Sequence, residues 1–379
     1  MLGRKMAEIK YACYKRVLPI LSYKMEDWQI IERRYRWFAR SFDAGKASIR
    51  LRLIEPMAAL ERRGIDVGRY RKTSDVPYDA LIFSKSFTRA AITASRDAEA
   101  AGRAVIVDIC DNMFDQVERR KNAGKRARIV EQLTRASIVT VSTPQLGSQL
   151  GAIMPEIVGK LRVIPDTLEN LDAAVPGWSD RMRLALLRRF LAAHPGALHC
   201  VWFGKSSGSA SGFAHLDNAV RELERFAEHH PVTLTVIGDS RARYVRAAKS
   251  WSIPSHYLPW SLGSFARALA VHRVAVLPVE RNEYTAGKSI NRPATAIIAG
   301  LGVVADAIES YEELRNFIPL DDWQGGLTRY AVGWAGEQGR LDEAREHLER
   351  RYGADVVAGQ WERIFQELAA SEIGVPELT

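Results

Sequence analysis

The chain has 379 residues, of which 47% are hydrophobic and 26% are charged. This length exceeds one ordinary hydrophobic core and predicts two domains, and the composition is that of a soluble globular protein. The net charge is +9 and is concentrated in residues 1–130, where 28 Lys and Arg accompany 16 Asp and Glu. No apolar run approaches the roughly 18–20 residues that a membrane span needs, and residues 1–16 lack the apolar region of a secretory signal.

Three cysteines, Cys13, Cys110 and Cys200, are far apart and odd in number. They predict neither a disulfide framework nor a zinc site, so we expect a reducing, cytoplasmic location. The basic first part suits anionic lipid or phosphorylated acceptors, and a solvated basic surface is the alternative. No nucleic-acid-binding signature accompanies the charge, which favours a membrane face over nucleic acid.

The segment from Met25 to Phe42 carries aromatic residues at helical spacing, with arginines largely on the other side. This pattern is typical of an interfacial helix that inserts its apolar face among anionic headgroups. It predicts a peripheral position on the inner face of the membrane. The alternative is a helix packed on its own domain, because most apolar stripes belong to a core.

Short apolar runs alternate with longer helical patterns along the rest of the chain, which is typical of βαβ units and parallel sheets. In the first half the predicted strands are residues 81–83, 104–107, 138–141 and 161–164, and the predicted helices are residues 50–63, 88–101 and 123–135. A polar stretch at residues 165–178 predicts a linker, followed by a basic helix at residues 181–193.

The alternation resumes in the second half. Strands are expected at residues 199–203, 232–237, 274–278 and 303–305, and helices at residues 216–229, 241–251, 264–269, 293–299 and 341–368. The predicted fold is α/β, with two Rossmann-like, doubly wound parallel-sheet domains that face a cleft. The predicted domains are residues 1–170 and 197–340, joined by a linker and helix at residues 171–196, with C-terminal helices at residues 341–379 packing across both.

The strongest local signal is Gly-Lys-Ser-Ile-Asn-Arg-Pro at residues 287–293. Its proline is tolerated only near a helix start, where free backbone amides and the helix dipole favour an anion. Lys288 and Arg292 add positive charge, with Ser289 as a possible cap, and Asn291 is expected to hydrogen-bond a sugar or phosphate. Since the segment follows a predicted strand, it predicts a diphosphate site. A capped helix with surface cations is the alternative.

A second candidate is the Ser- and Gly-rich loop that begins at Gly204, Lys205 and Ser206, directly after a strand. Small residues there permit close approach of backbone donors to a phosphate. The loop lacks the upstream glycine of a Walker A motif. It matches the nucleophile-elbow pattern of α/β-hydrolases, but Gly208–Gly212 is a poor start for the helix that such an elbow requires.

Asp108 and Asp111 follow the strand at residues 104–107, at the sheet edge where a carboxylate could deprotonate an acceptor hydroxyl. All eight histidines lie at or after His194, so the first domain offers no imidazole base and these aspartates are the leading candidates. The alternative is that they cap the next helix or pair with arginines. Asp239, after Gly238, is a further candidate or a turn residue only.

An ordered series of segments resembles the GT-B glycosyltransferases, in particular family-4-like bacterial members, over about residues 46–370. The matching segments are residues 50–64, 102–115, 136–143, 163–166, 260–269 and 274–278, and residues 288–300 fall where that family binds its donor. The resemblance implies a nucleotide-sugar donor on the C-terminal domain, an acceptor on the N-terminal domain, and no metal or other cofactor.

Two departures from the family bear on mechanism. Retaining members usually carry two glutamates seven residues apart, where this sequence has Lys288 and Thr295. Their N-domain histidine is also absent, so the stereochemistry stays open. The expected function is transfer of a sugar from a nucleotide-sugar to a glycan, lipid-linked or protein acceptor. The alternatives are a non-catalytic GT-B-like scaffold and a nucleotide-sugar epimerase.

Overall fold

A computed structural model describes residues 33–71, 77–172, 174–207 and 212–373. By its internal contacts the chain divides into two compact units. The first unit comprises the chain up to Leu168, the short segment Ala286–Ser289, and the chain from Arg350 onward. The second unit comprises Glu169–Thr285 and Ile290–Glu349.

The first unit is built on a six-stranded sheet in which every strand pair is parallel. Its strands are β1 (Arg34–Phe38), β2 (Asp66–Arg69), β3 (Ala80–Ser84), β4 (Ala104–Ile109), β5 (Ile138–Val141) and β6 (Leu161–Val163). In space they follow the order β2-β1-β3-β4-β5-β6. The winding direction therefore reverses between β1 and β3, and open α/β sheets bind ligands at the carboxyl ends of the strands on either side of such a reversal.

Helices follow the strands of this sheet. They are α1 (Ala47–Ile49), a π-helical turn (Arg50–Ile54), α2 (Glu55–Arg62), α3 (Arg89–Ala100), α4 (Met113–Arg119), α5 (Ala123–Arg135), α6 (Pro144–Ile153) and the last helix (Ala354–Ile373). The four strands and three helices expected in this half are confirmed to within a few residues. The last helix packs against α2, and exposed ion pairs join Arg62 to Asp355 and Arg63 to Glu362.

The segment from Met25 to Phe42 differs from the helix that its pattern predicts. Its described part contains strand β1, so the predicted helix is wrong there, and residues 25–32 lie outside the described residues. Tyr35 and Trp37 alternate with half-exposed arginines and point into the core, where they contact Phe365 and Trp361 at ring distances of 3.6 and 5.5 Å. Tyr35, Phe38 and Phe42 fit a helical period, whereas Tyr35 and Trp37 fit a period of two, and burial of Tyr35 and Trp37 on one face of the sheet favoured the strand.

The second unit contains a five-stranded parallel sheet. Its strands are β7 (Leu198–Phe203), β8 (Val232–Gly238), β9 (Ser255–Pro259), β10 (Val274–Leu277) and β11 (Gly302–Ala305). The spatial order β11-β10-β7-β8-β9 places the reversal of winding between β7 and β10. The loops that leave β7 and β10 at their carboxyl ends are therefore the expected position of a ligand in this unit.

The helices of this unit are α7 (Trp178–Ala192), α8 (Leu216–Ala227), α9 (Arg241–Ala247), α10 (Leu262–Leu269), α11 (Glu283–Ala286), α12 (Asn291–Ile298), α13 (Trp323–Val332) and α14 (Trp334–Tyr352). The α/β architecture with two parallel sheets is confirmed. Among the described helices, none is both long and apolar enough to cross a membrane.

A buried histidine joins α10 to the sheet of the second unit. His272 hydrogen-bonds through Nδ1 to the Ala268 carbonyl at 2.7 Å and through Nε2 to Thr235 Oγ1 at 2.7 Å. A carbonyl only accepts, so Nδ1 carries the proton and Nε2 accepts from the threonine hydroxyl in the neutral ring. Burial lowers the pKa of His272 to about 4, and burial also lowers the pKa values of His199 and His256.

Acidification should therefore destabilise the second unit. The unfolded chain binds a proton on this histidine near pH 6.5 and the folded chain only near pH 4, so stability falls as pH drops through that window. The resulting decrease in the free energy of unfolding is on the order of 3 kcal/mol. Urea unfolding at pH 7, 5.5 and 4.5 should show a flatter pH dependence in His272→Gln than in the exposed-site control His229→Gln. Equal pH dependence in both variants would contradict this assignment.

Candidate functional site

A buried ion pair lies at the carboxyl edge of the first sheet. Asp108, near the end of β4, is fully buried and accepts hydrogen bonds from the Arg52 guanidinium. It also accepts from Ser84 Oγ and Thr140 Oγ1, each at 2.8 Å. The ends of three adjacent strands thus contribute to one carboxylate. A general base must be within reach of the acceptor hydroxyl, so this geometry favours the ion-pair alternative for Asp108.

The π-helical turn brings Arg52 to this position. Its Nη1 donates to the Ile164 carbonyl at 2.5 Å and lies 3.4 Å from Asp166. Burial alone would lower the pKa of Arg52, but Asp108 and Asp166 outweigh that effect and raise it. Thr167 donates twice to the Leu51 carbonyl, through its backbone N–H at 3.2 Å and its hydroxyl at 3.0 Å. This helical turn is therefore fastened directly to β4 and to the loop after β6, and through Asp108 it is linked to the ends of β3 and β5.

Asp111, the second catalytic candidate, lies between two ammonium groups. Lys85 and Lys288 each form an ion pair with it. Burial alone would raise the pKa of Asp111, but the two lysines outweigh burial and hold it well below its ordinary value. A carboxylate so readily ionised is a weak base. Lys85 itself adopts a left-handed backbone conformation with φ of 46° directly after β3, an arrangement that often accompanies functional sites.

The predicted phosphate segment is divided between the two units. Lys288 and Ser289 group with the first unit, where Ser289 Oγ donates to Asp166 at 2.6 Å, whereas Asn291 and Arg292 belong to the second. The expectation that Ser289 caps the helix is wrong, because the N-cap position is Ile290 and no side chain caps it. The cause is that the Ser289 hydroxyl is directed to Asp166. Asn291 Oδ1 accepts from the Thr295 hydroxyl at 3.2 Å.

A cluster of cations surrounds Lys125 in the first unit, and we call it the cation cluster. Its members are Arg40, Lys85, Arg120, Lys125 and Arg128. Burial is the largest cause that lowers the pKa of Lys125, and the other four positive charges lower it further. Arg128 Nε is fixed by donating to the Phe87 carbonyl at 2.9 Å. Arg40 and Lys85 follow β1 and β3, so the cluster lies where the winding of the first sheet reverses.

In the second unit, Asp239 fixes Ser206 and Ser207 at the start of the loop that follows β7. It accepts from the backbone N–H groups of Ser206 and Ser207 at 2.7 and 2.8 Å and from both hydroxyls. Burial would raise its pKa, but these hydrogen bonds lower the pKa of Asp239 to about 2. Ser206 Oγ also accepts from the Ser240 N–H at 2.7 Å, and Arg243 donates to the Ser206 carbonyl at 2.8 Å. This arrangement favours a loop-fixing role for Ser206 over direct phosphate binding.

Arg292 lies against the far end of the same loop. A Cβ atom added to Gly212 would meet its Nη2 at 2.8 Å, so only glycine fits there without displacing the guanidinium. Arg292 Nη1 is buried and has no hydrogen-bond partner among the described residues. Its positive charge acts on His215, whose pKa is lowered chiefly by burial, with Glu280 opposing and Arg292 adding to the decrease. The guanidinium thus lies at the reversal between β7 and β10, and its buried Nη1 donates to no described residue.

The other predicted residues of this loop, Gly204 and Lys205, make fewer contacts than Ser206. The Gly204 N–H donates to the Ile237 carbonyl at 3.1 Å, and the Lys205 side chain is exposed. Residues 208–211 lie outside the described part of the chain. The sequence reasoning did not identify Gly212, Arg243 or His215, and only their proximity in the fold distinguishes them. Among the described residues, no group of three or more His, Cys, Asp or Glu is arranged to hold a metal ion.

No family model and no curated protein matches this sequence. Solved structures do match the fold. HepE of Anabaena, in complex with UDP and glucose, is 12% identical with a TM-score of 0.60, covering 88% of this chain and 99% of its own. The chain has the GT-B fold. The trehalose 6-phosphate synthase of Burkholderia multivorans is 14% identical with a TM-score of 0.56, and the match covers 87% of this chain and 78% of that one. The sucrose-phosphate synthase of Thermosynechococcus elongatus is 13% identical with a TM-score of 0.51, and the match covers 78% of this chain and 74% of that one. The predicted GT-B resemblance is therefore confirmed at the level of fold.

The buried ion pair of this GT-B chain should be essential to stability. Asp108→Asn removes the charge that offsets buried Arg52, and we expect it to lower the free energy of unfolding by about 3–5 kcal/mol. Urea unfolding measures this loss. Glu362→Gln, which breaks the exposed Arg63–Glu362 pair in the same unit, should cost under about 1 kcal/mol. Similar small losses for both variants would show that the Arg52–Asp108 pair is not a major support.

Proposed function

We propose that this chain is a glycosyltransferase that moves a sugar from a nucleotide-sugar donor to an acceptor. The fold supports the proposal, and its neighbours include structures solved with UDP and glucose and with UDP-2-fluoro glucose. Fold alone does not imply function, so the groups of the site in the second unit must support it. The observation that carries it is Arg292, which lies against Gly212 at the reversal of the sheet and whose buried Nη1 has no hydrogen-bond partner among the described residues.

A guanidinium in this position matches a diphosphate. Arginine binds phosphate oxygens bidentately, and Gly212 allows close approach of the guanidinium to the backbone. As the bond between the anomeric carbon and the β-phosphate oxygen breaks, negative charge develops on the departing nucleoside diphosphate. Arg292 would stabilise that charge, which is the largest electrostatic contribution expected in such a reaction. Exposed Lys205, at the other end of the same loop, would add to it.

The two aspartates act differently in this proposal. Asp108 and Asp111 are both ion-paired, so they would fix the acceptor-side loops and we assign neither as the proton acceptor. The stereochemical course remains open in the proposal, as does metal independence. Lys288 and Ser289 group with the first unit, so we place them on the acceptor side, whereas Arg292 and Lys205 serve the donor.

The cation cluster supports an anionic acceptor. Five positive groups converge where the first sheet reverses its winding, and only Lys85 among them pairs with an acidic side chain within the described residues. Uncompensated like charges are unfavourable unless an anion neutralises them. We therefore place a phosphate-bearing or otherwise acidic glycan, lipid-linked or protein acceptor at this edge.

The donor site is tested by Arg292→Gln. Loss of a charged hydrogen-bond donor should weaken binding of nucleoside diphosphates by about 10- to 100-fold, as measured by isothermal titration calorimetry. Arg225→Gln, an exposed arginine on α8 of the same unit, is the matched control and should bind normally. Unchanged affinity in Arg292→Gln would refute the assignment.

Turnover of nucleotide-sugars by the wild-type protein, measured with and without an acceptor, separates the alternative functions. A scaffold would bind partners without turning over any nucleotide-sugar. An epimerase would convert the donor with no acceptor present, whereas a transferase releases nucleoside diphosphate in proportion to acceptor consumed.

The acceptor side is tested by the double variant Arg120→Gln/Lys125→Gln. It should raise KM for phosphorylated acceptors about tenfold or more, because two favourable charges are removed, and it should leave nucleotide affinity unchanged. Arg62→Gln, an exposed arginine of the same unit outside the cation cluster, is the control. Glucose 6-phosphate and neutral glucose are a suitable first pair of acceptors to compare. Equal use of charged and neutral acceptors would contradict an anionic acceptor.

A further inference from the structure

Helix α7 presents an exposed apolar stripe to solvent. Trp178, Met182 and Leu186 are 78%, 49% and 55% exposed. They recur every four residues and therefore lie along one side of the helix. Val175, just before the helix, is 77% exposed. Single exposed apolar residues are ordinary, but a continuous stripe ending in a tryptophan marks an interaction surface.

The opposite face of α7 is firmly packed. Leu184, Leu187 and Leu191 are buried in the second unit. At the start of the helix, Asp180 accepts from Ser261 Oγ at 2.7 Å and from the Gly177 N–H at 3.3 Å. The exposed stripe is thus presented by a helix that is already fixed, so a partner would not have to order it.

Arginines accompany the stripe. Arg181, Arg188 and Arg189 are exposed, and none forms an ion pair with another described residue. Around the helix axis Arg181 and Arg188 lie on one side of the stripe and Arg183 on the other, given 100° per residue, whereas Arg189 lies in line with the stripe at its C-terminal end. The one acid of α7, Asp180, is engaged by Ser261 and by Arg183 at 3.6 Å. The exposed face is therefore apolar with a positive border and no free negative charge.

We propose that α7 docks onto an anionic lipid surface, with Trp178, Met182 and Leu186 among the acyl chains and the arginines at the headgroups. Such a combination is typical of interfacial helices, since apolar burial and attraction to anionic lipid act together. Tryptophan favours the headgroup depth in particular. A second copy of the chain fits less well, because an isologous contact would bring the same arginines together. The inference does not depend on the proposed function.

The full chain should co-sediment with vesicles of phosphatidylcholine containing 30% phosphatidylglycerol and much less with pure phosphatidylcholine. Added salt should weaken the binding. Met182→Glu/Leu186→Glu should lower the partition coefficient at least tenfold, because two charges would enter the apolar layer. The matched control is Val332→Glu, since Val332 is a 73% exposed apolar residue on another helix of the same unit, and it should bind as the wild type does.

A second measurement reports the position of the helix directly. Tryptophan fluorescence should be quenched by brominated lipid in the wild type, and Trp178→Phe should remove most of that quenching while retaining binding. Absence of wild-type binding to anionic vesicles would overturn the proposal. Equal binding by Met182→Glu/Leu186→Glu would also overturn it, because another part of the chain would then carry the membrane contact. Concentration-dependent dimerisation abolished by these variants, with vesicle binding unaffected, would assign the stripe to a second copy instead.

Discussion

The pairing of Arg52 with Asp108 is the constraint on which the carboxyl edge of the first sheet depends. An arginine and an aspartate both removed from water are costly, and they are stable only because nearly every polar atom finds a partner. Ser84, Thr140 and the Ile164 carbonyl supply those partners from three different segments. The edge therefore cannot shift one loop without breaking hydrogen bonds to the others. Asp166 extends the network to Ser289, which fixes residues next to the candidate ligand groups.

In the second unit the corresponding carboxylate, Asp239, accepts from neutral donors instead of a guanidinium. Asp239 accepts hydrogen bonds from two backbone N–H groups and two hydroxyls, so Ser206 and Ser207, at the start of the loop after β7, are fixed. Arg292 lies where that loop ends at Gly212. Because Ser206 and Ser207 are already fixed by Asp239, an anion that binds beside them would not have to position these two residues, and such preorganisation favours strong electrostatic stabilisation. In each unit acidic side chains fix the scaffold, and cationic side chains are the groups to which the proposed function assigns the ligands.

The sequence was sufficient for most of the fold. Strands such as Ala80–Ser84 and Val274–Leu277 are short apolar runs, and helix Ala123–Arg135 carries a clear helical period, so pattern alone located them. The prediction for the segment around Trp37 was wrong because five residues can satisfy a helical period and a strand period at once. Only the contacts with Trp361 and Phe365 decide between the two. Local pattern contains no information about such distant neighbours.

The candidate site was predicted less completely, for the same reason. Lys288 and Arg292 are four residues apart and were taken as one phosphate site, yet they group with different units. The partners of Asp108 lie up to 56 residues away in the chain, and those of Asp239 lie 32–33 residues away. The excess of positive charge was visible in the composition, but only the fold concentrates part of it around Lys125. Composition predicts that charge exists, whereas topology decides where it acts.

The central claim is that the second unit holds a nucleoside diphosphate at the reversal between β7 and β10. A crystal structure of the chain grown with UDP or another nucleoside diphosphate would test it most directly. The account predicts diphosphate density within hydrogen-bond distance of Arg292 Nη1 and beside the loop from Gly204 to Gly212. A nucleotide bound elsewhere with Arg292 unoccupied, or no nucleotide bound at millimolar concentrations, would contradict it.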